Sequence, residues 1–268
     1  MPSIQKNNIP VVILCGGRGT RIKEETEIIP KPLVKIGDKP ILWHIMKIYN
    51  EYGFRNFILP VGYKGEKIKE YFLNYSALQR DFTLDFTRGK KRVVPHTRTE
   101  EEWKITIVDT GLDTQTGARI KRVAPYIKGD TFLMTYGDGV ANVNIDNLLE
   151  LHHAQKKVAT ITGVHPPARF GEIEVKGTLA VNFREKPQLN QGYINGGFLA
   201  LNRGIFKFLN DNPDLNFEKD VLPVVARQRQ LGVFRHDEFW QCMDTVRDME
   251  HLNEIWTTGN IPWKVWKT

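Results

Sequence analysis

Apolar positions fall into two patterns along the chain. The unbroken apolar run at residues 11–14 has the continuity of a strand buried on both faces, and the largely apolar stretches 57–61, 131–136 and 158–164 read as further strands. Between the first two, Ile41, Ile45, Ile48 and Tyr52 recur at helical spacing, and Gly53 stands where a left-handed residue ends a helix. Residues 66–74 and 147–155 repeat that amphipathic spacing. Strands and helices in this alternation predict an α/β fold, with a mainly parallel sheet and helices on both faces.

The pattern changes after residue 165. Short runs at 171–175, 179–183 and 198–201, separated by Gly and Asn turns, predict a smaller antiparallel subregion. A helix over 217–231, a short strand at 239–243 and a closing helix over 245–256 follow. No repeat, low-complexity tract or Pro/Ser linker divides the 268 residues. One domain is expected, with 10–165, 166–245 and 246–268 as its successive parts. Residues 88–103 are charged and turn-poor, and they match neither pattern.

Composition narrows the classes. Hydrophobic and aromatic fractions of 41% and 10% are those of an ordinary globular protein. The net charge of +7 raises the question of nucleic acid. However, the densest basic cluster, Arg88, Lys90, Lys91 and Arg92, runs into Glu100, Glu101 and Glu102, without interleaved aromatics. A basic enzyme acting on phosphorylated metabolites explains the charge equally well. The two cysteines, Cys15 and Cys242, make a disulfide scaffold improbable and fit a reducing cytosol. No signal segment is seen, and no apolar run nears the roughly 20 residues that cross a bilayer. A cytoplasmic protein is expected, with neither a membrane nor a nucleic-acid partner. His44, His152 and His153 lie on amphipathic helices and show no zinc spacing.

Two strand ends carry unusual residues, and ligands of open α/β sheets bind beyond such ends. After Leu14 come Cys15, Gly16, Gly17 and Gly19, then Thr20, Arg21 and, ten residues on, Lys31. Glycines there let backbone N–H groups approach phosphate oxygens, Arg21 offers a planar fork, and Lys31 a point charge. A tight turn with two solvated cations accounts for GGxG equally well. Neither a Walker A loop nor a dinucleotide fingerprint fits, since GK[ST] and the last glycine of GxGxxG are both missing. The second strand end leads into Gly137-Asp138-Gly139, which presents a carboxylate. Mg²⁺ takes one or two carboxylates plus substrate phosphates, and Asp244, between a strand and a helix, is the second candidate. Taken singly, Asp138 reads as a turn residue and Asp244 as part of a helix cap. As a pair beside the glycine loop they point to a metal–phosphate site.

With these residues in place, the chain resembles the sugar-1-phosphate nucleotidyltransferases over nearly its whole length. The matching segments, in order, are GGRGTR, PKPL, KPILWHIMKIY, GYKG, DTGLDTQTGARIKRV, TYGDG, RFGEI, REKP, YINGGF and FWQCMDT. KPILWHIM and the DTG…TGARIKRV segment are similar to the cytidylyl branch. The resemblance implies a Rossmann-like nucleotidyltransferase sheet and transfer of a cytidylyl group from CTP to glucose 1-phosphate, with Mg²⁺ as cofactor. It implies a nucleotide site of Leu14, Gly16, Gly17, Gly19, Thr20, Arg21, Lys31, Thr110, Gly111, Thr116 and Arg119. Arg21, Lys31 and Lys186 would be catalytic, and Asp138 and Asp244 would hold the metal. Gly171, Glu185, Lys186, Asn195 and Gly196 would form the sugar-phosphate site, so that 10–165 binds nucleotide and 166–245 binds sugar phosphate. Read without the resemblance, REKP is a solvated turn and YINGG a β-turn. Arg119 is either a donor to the cytosine edge or a surface arginine on a helical turn. A homo-oligomer, with a hexamer as candidate form, and a role in surface polysaccharide synthesis are also implied. Cys15 departs from the family's alanine; in an apolar run it reads as a buried filler, and a sensitivity to thiol reagents stays open. The same chemistry on another nucleotide or sugar, or a non-catalytic protein on this fold, are the alternative readings.

Overall fold

The computed structural model describes residues 6–19, 26–89, 92–97, 101–166, 172–176, 178–184 and 192–267. Seven strands form the central sheet: β1 (Pro10–Leu14), β2 (Asn56–Val61), β3 (Lys104–Asp109), β4 (Thr131–Tyr136), β5 (Ala159–Val164), β6 (Ile194–Asn202) and β7 (Leu231–His236). They lie in the order β7-β5-β6-β4-β1-β2-β3, and all but β6 run in one direction. The mainly parallel α/β architecture read from the sequence is therefore present. Strand β1 is buried throughout, as five consecutive apolar residues require. The chain winds from β1 to β2 and β3 on one side, then returns to β4 on the other. That reversal opens a crevice at the carboxyl ends of β1 and β4.

Helices cover both faces because alternate residues of each strand feed opposite cores. Val11 and Ile13 pack with α1 (Ile41–Glu51), α4 (Ile145–Gln155) and α6 (Val246–Thr258). Val12 and Leu14 pack with α3 (Thr116–Arg122), α5 (Leu222–Arg227) and the π-helical turn Phe217–Val221. Helix α2 (Gly65–Leu73) follows β2. Helix α1 ends where expected: Gly53 adopts φ +88°, Gly53 N–H donates to the Asn50 carbonyl and Phe54 N–H to that of Tyr49, a Schellman stop. Helix α6 begins with a reciprocal capping box between Thr245 and Asp248.

Three expectations are corrected. Residues 198–201 are not part of a separate subregion but the middle of β6, a nine-residue strand inside the main sheet. The YINGG stretch is accordingly the start of that strand rather than a free turn. The single helix expected over 217–231 is a π turn, then α5, then the start of β7. Pro223 lacks the N–H that would continue a regular helix through 217–227, which breaks the register. The antiparallel hairpin of Glu172–Lys176 with Leu179–Arg184 is present. A second hairpin, Phe82–Asp85 with Arg92–Pro95, occupies part of the stretch that matched no pattern.

Candidate active site

Short strands bring the carboxylates together. Gly139–Ala141 pairs antiparallel with Trp240–Cys242, so Asp138 precedes one strand and Asp244 follows the other at the same end. Met243 N–H donates to the Asp138 carbonyl at 2.8 Å, and the Asp244 N–H is held by Asp248 of the capping box at 3.0 Å. Between the two carboxylates lies the Lys31 ammonium, 2.7 Å from Asp138 Oδ2 and 2.6 Å from Asp244 Oδ1. The Lys31 side chain is only 12% exposed. Burial works against its charge, but the two aspartates more than offset it and the pKa lies above the ordinary lysine value.

The glycine loop forms the opposite wall. Cys15 N–H bonds the Pro60 carbonyl and ends the strand, and Gly137 N–H bonds the Leu14 carbonyl, locking the two strand ends together. A Cβ on Gly16 would stand 2.3 Å from the Arg119 guanidinium, so only glycine fits there. Gly19 adopts φ +62°, which favours glycine too. Arg119 itself is 4% exposed. Its Nη1 donates to the Val61 and Gly111 carbonyls and to Thr110 Oγ1, and its Nη2 to the Gly16 and Leu112 carbonyls. The surface-arginine reading is overturned: the guanidinium is an internal pin that joins three loops. Thr110 and Gly111 stand behind it, supplying acceptors.

A cleft of about 590 Å³ lies between these walls. Leu14, Gly16, Gly17, Gly19, Lys31, Thr116, Arg119, Asp138 and Asp244 line it together with Cys15, Arg18, Asp113 and Tyr136. Asn195 is linked to this group through the Tyr136 hydroxyl at 3.0 Å. Gly196 is buried behind it, its carbonyl accepting from Trp240 Nε1 at 2.7 Å. Thr20, Arg21, Gly171, Glu185 and Lys186 lie outside the described residues. Sequence reading missed Glu218, which accepts from Tyr136 and from Thr116, both at 2.6 Å. Nothing in the local pattern of FEKDV marks it. It also missed the pairing of Arg18 with Asp113 across the mouth. Cys15 is a buried filler, and burial, with Asp138 adding, pushes its thiol pKa far up.

Comparison with known proteins decides the family. The family model described as Nucleotidyl transferase matches residues 10–258. This chain belongs to the nucleotidyl transferase family. It is 46% identical to the glucose-1-phosphate cytidylyltransferase of Salmonella typhimurium, over 96% of this chain and 99% of that one. It is 31% identical to the D-glycero-alpha-D-manno-heptose 1-phosphate guanylyltransferase of Campylobacter jejuni, over 78% of this chain and 82% of that one. In fold it resembles the crystal structure of HddC from Yersinia pseudotuberculosis, with a TM-score of 0.66, 23% identity, and 92% and 99% of the two chains covered.

Nucleotidyl transferases generally work with a divalent metal. Two hard carboxylates already drawn around one cation, in a cleft roomy enough for phosphates, fit such an ion. Among the described residues no group of three or more His, Cys, Asp or Glu is placed to hold a metal alone. The remaining ligands would then come from substrate oxygens and water.

Proposed function

We propose that this nucleotidyl transferase makes CDP-glucose and pyrophosphate from CTP and α-D-glucose 1-phosphate. One observation carries the reading: Lys31 bridges Asp138 and Asp244 opposite the glycine loop, in a chain 46% identical to a glucose-1-phosphate cytidylyltransferase. An oxygen of the sugar phosphate bonds to the α-phosphorus of CTP while the α–β bridging bond breaks and pyrophosphate leaves. That oxygen is already anionic, so no general base is needed; the difficulty is bringing anions together.

Each wall has its task. Gly16, Gly17 and Gly19 expose backbone N–H groups to the triphosphate, and Thr20 and Arg21, next in sequence, share in binding its phosphates. Lys31 stands where phosphate oxygens compete with the two aspartates for its ammonium. Mg²⁺ held by Asp138 and Asp244 would neutralise charge developing on the phosphates. The base meets the wall that Thr110, Gly111, Thr116 and Arg119 build. Gly171, Glu185, Lys186, Asn195 and Gly196 receive the sugar phosphate, with Lys186 on its charge.

Self-association belongs to the same proposal. Leu73, Leu78, Phe82, Phe86 and Val93 are exposed on α2, the turn after it and the hairpin beyond. Exposed apolar side chains gathered in this part of the chain support a homo-oligomer, with a hexamer as the candidate form.

Pyrophosphate release tests the activity. The purified protein is given Mg²⁺, glucose 1-phosphate and CTP, UTP, dTTP, ATP or GTP in turn. Release with CTP is expected. Release with another nucleotide alone would overturn the base assignment, and silence with all five would overturn the substrate pair. Sedimentation as a monomer would overturn the oligomer.

A further inference from the structure

A second polar cluster lies on the same edge of the sheet, away from Lys31. Strands β5 and β7 end there at Val164 and His236, and β6 starts there at Ile194. The antiparallel ladder pairs Gly163 with Asn195 and Val164 with Ile194. One residue further out, His165 and Tyr193 face each other with ring centroids 4.5 Å apart. His165 Nδ1 lies 3.0 Å from the Gly192 carbonyl and its Nε2 lies 3.1 Å from Asp237 Oδ1. The Tyr193 hydroxyl donates to the same Oδ1 at 2.8 Å, and Arg235 lies over the Tyr193 ring.

Three strand ends thus converge on one imidazole. The ring side chain is 12% exposed, although Asp237 beside it is 65% exposed. Both partner atoms are acceptors, so a ring protonated on both nitrogens makes both contacts and a neutral ring makes one. His165 and Tyr193 are also the two chain positions between which the chain leaves the sheet and returns to it. Between them lie the hairpin Glu172–Lys176/Leu179–Arg184 and, in sequence, Gly171, Glu185 and Lys186. Two residues beyond Tyr193, inside β6, is Asn195, whose amide holds Tyr136 of the cleft.

We propose that His165 is a positioning residue for the sugar 1-phosphate: its contacts to Gly192 and Asp237 hold the approach to β6 and so fix Asn195 beside the cleft. The inference rests on the proposed sugar-phosphate role of Asn195. It adds a residue that holds the start of β6 without touching substrate.

His165→Phe keeps a ring and removes both nitrogen contacts. With this variant, KM for glucose 1-phosphate is expected to rise about tenfold, while kcat and KM for CTP stay within about twofold. Asp237→Ala should behave alike, and Asp237→Asn, which keeps an acceptor oxygen, should recover most of the loss. Equal rises in both KM values, or no rise, would overturn the inference. Hydrogen exchange at residues 192–195 is measured on the same proteins without substrate, and faster exchange in His165→Phe is expected. Exchange unchanged by that substitution would overturn the tie, whatever the kinetics. A wild-type protein silent with CTP and glucose 1-phosphate would instead overturn the functional reading.

Discussion

Two cations withdrawn from solvent to different depths face one cleft and are held in opposite ways. Lys31 is held by charges, the carboxylates of Asp138 and Asp244, both about a third exposed. Arg119 is held by neutral oxygens, the carbonyls of four residues and one hydroxyl, at 4% exposure. An ion pair at a cleft wall is exchangeable, because a substrate phosphate and a divalent metal can replace both halves of it. A guanidinium threaded among backbone carbonyls has no such replacement, since every carbonyl it leaves would lose a charged donor. The contrast supports the proposed roles, with Lys31 and its aspartates exchanging partners during the reaction and Arg119 holding the loops around them.

The comparison breaks most visibly at the carboxylates. Asp138→Asn removes the charge but keeps the shape, and metal-dependent kcat is expected to fall about 100- to 1,000-fold with the unfolding midpoint little changed. Full retained activity would remove Asp138 from the site.

The two cations themselves give the next effect. Lys31→Ala should lower kcat/KM about 100-fold and change stability by less than about 1 kcal/mol, since its partners are partly solvated. Arg119→Ala should do the reverse in emphasis, costing about 2–4 kcal/mol in urea unfolding as the Gly16, Gly111 and Leu112 carbonyls lose a donor. Equal stability losses from the two variants would erase the distinction.

Acid sharpens it further. His44 packs against Trp256 of α6, whose capped start orients Asp244. Its Nε2 donates to the Ile36 carbonyl and its Nδ1 accepts from Trp263, so the fold holds the neutral ring. Burial lowers its pKa from 6.5 to about 4. Below about 6.5 the unfolded chain binds a proton that the folded chain refuses, so stability falls as pH drops toward 4 and this contribution levels off beneath it. His152, lowered to about 4 by burial and by His153, adds a second loss over the same window. Urea midpoints should therefore decline between about pH 6.5 and about pH 4, by up to about 3 kcal/mol for each histidine. His44→Phe should remove about half of the decline, leaving the share of His152.

The smallest effect belongs to Cys15. Its thiol is buried at the base of the glycine loop and its pKa is pushed far up, so almost no thiolate forms at neutral pH. Iodoacetamide should leave it unmodified in the native protein and modify it in urea. Native labelling with loss of activity would show that this wall opens.

Local pattern determined much of this protein. The apolar run of β1, the stop at Gly53, and the glycines and aspartates at strand ends are consequences of nearest-neighbour chemistry, so they were legible in the chain. Edge strands were not: β3 and β7 carry mixed polar and apolar residues, since one side of each meets solvent. Nor was the place of β6, because pairing between strands distant in sequence leaves no local mark. Tertiary structure alone decided that Asp138 and Asp244 share one lysine, and that Arg119 is buried among carbonyls. It also decided that Glu218 meets Tyr136 and Thr116, and that His165 joins Gly192 to Asp237. The physical reason is common to all four. A side chain's partner is set by which strands and loops the fold brings within about 3 Å, and a linear chain records the residue but not the distance.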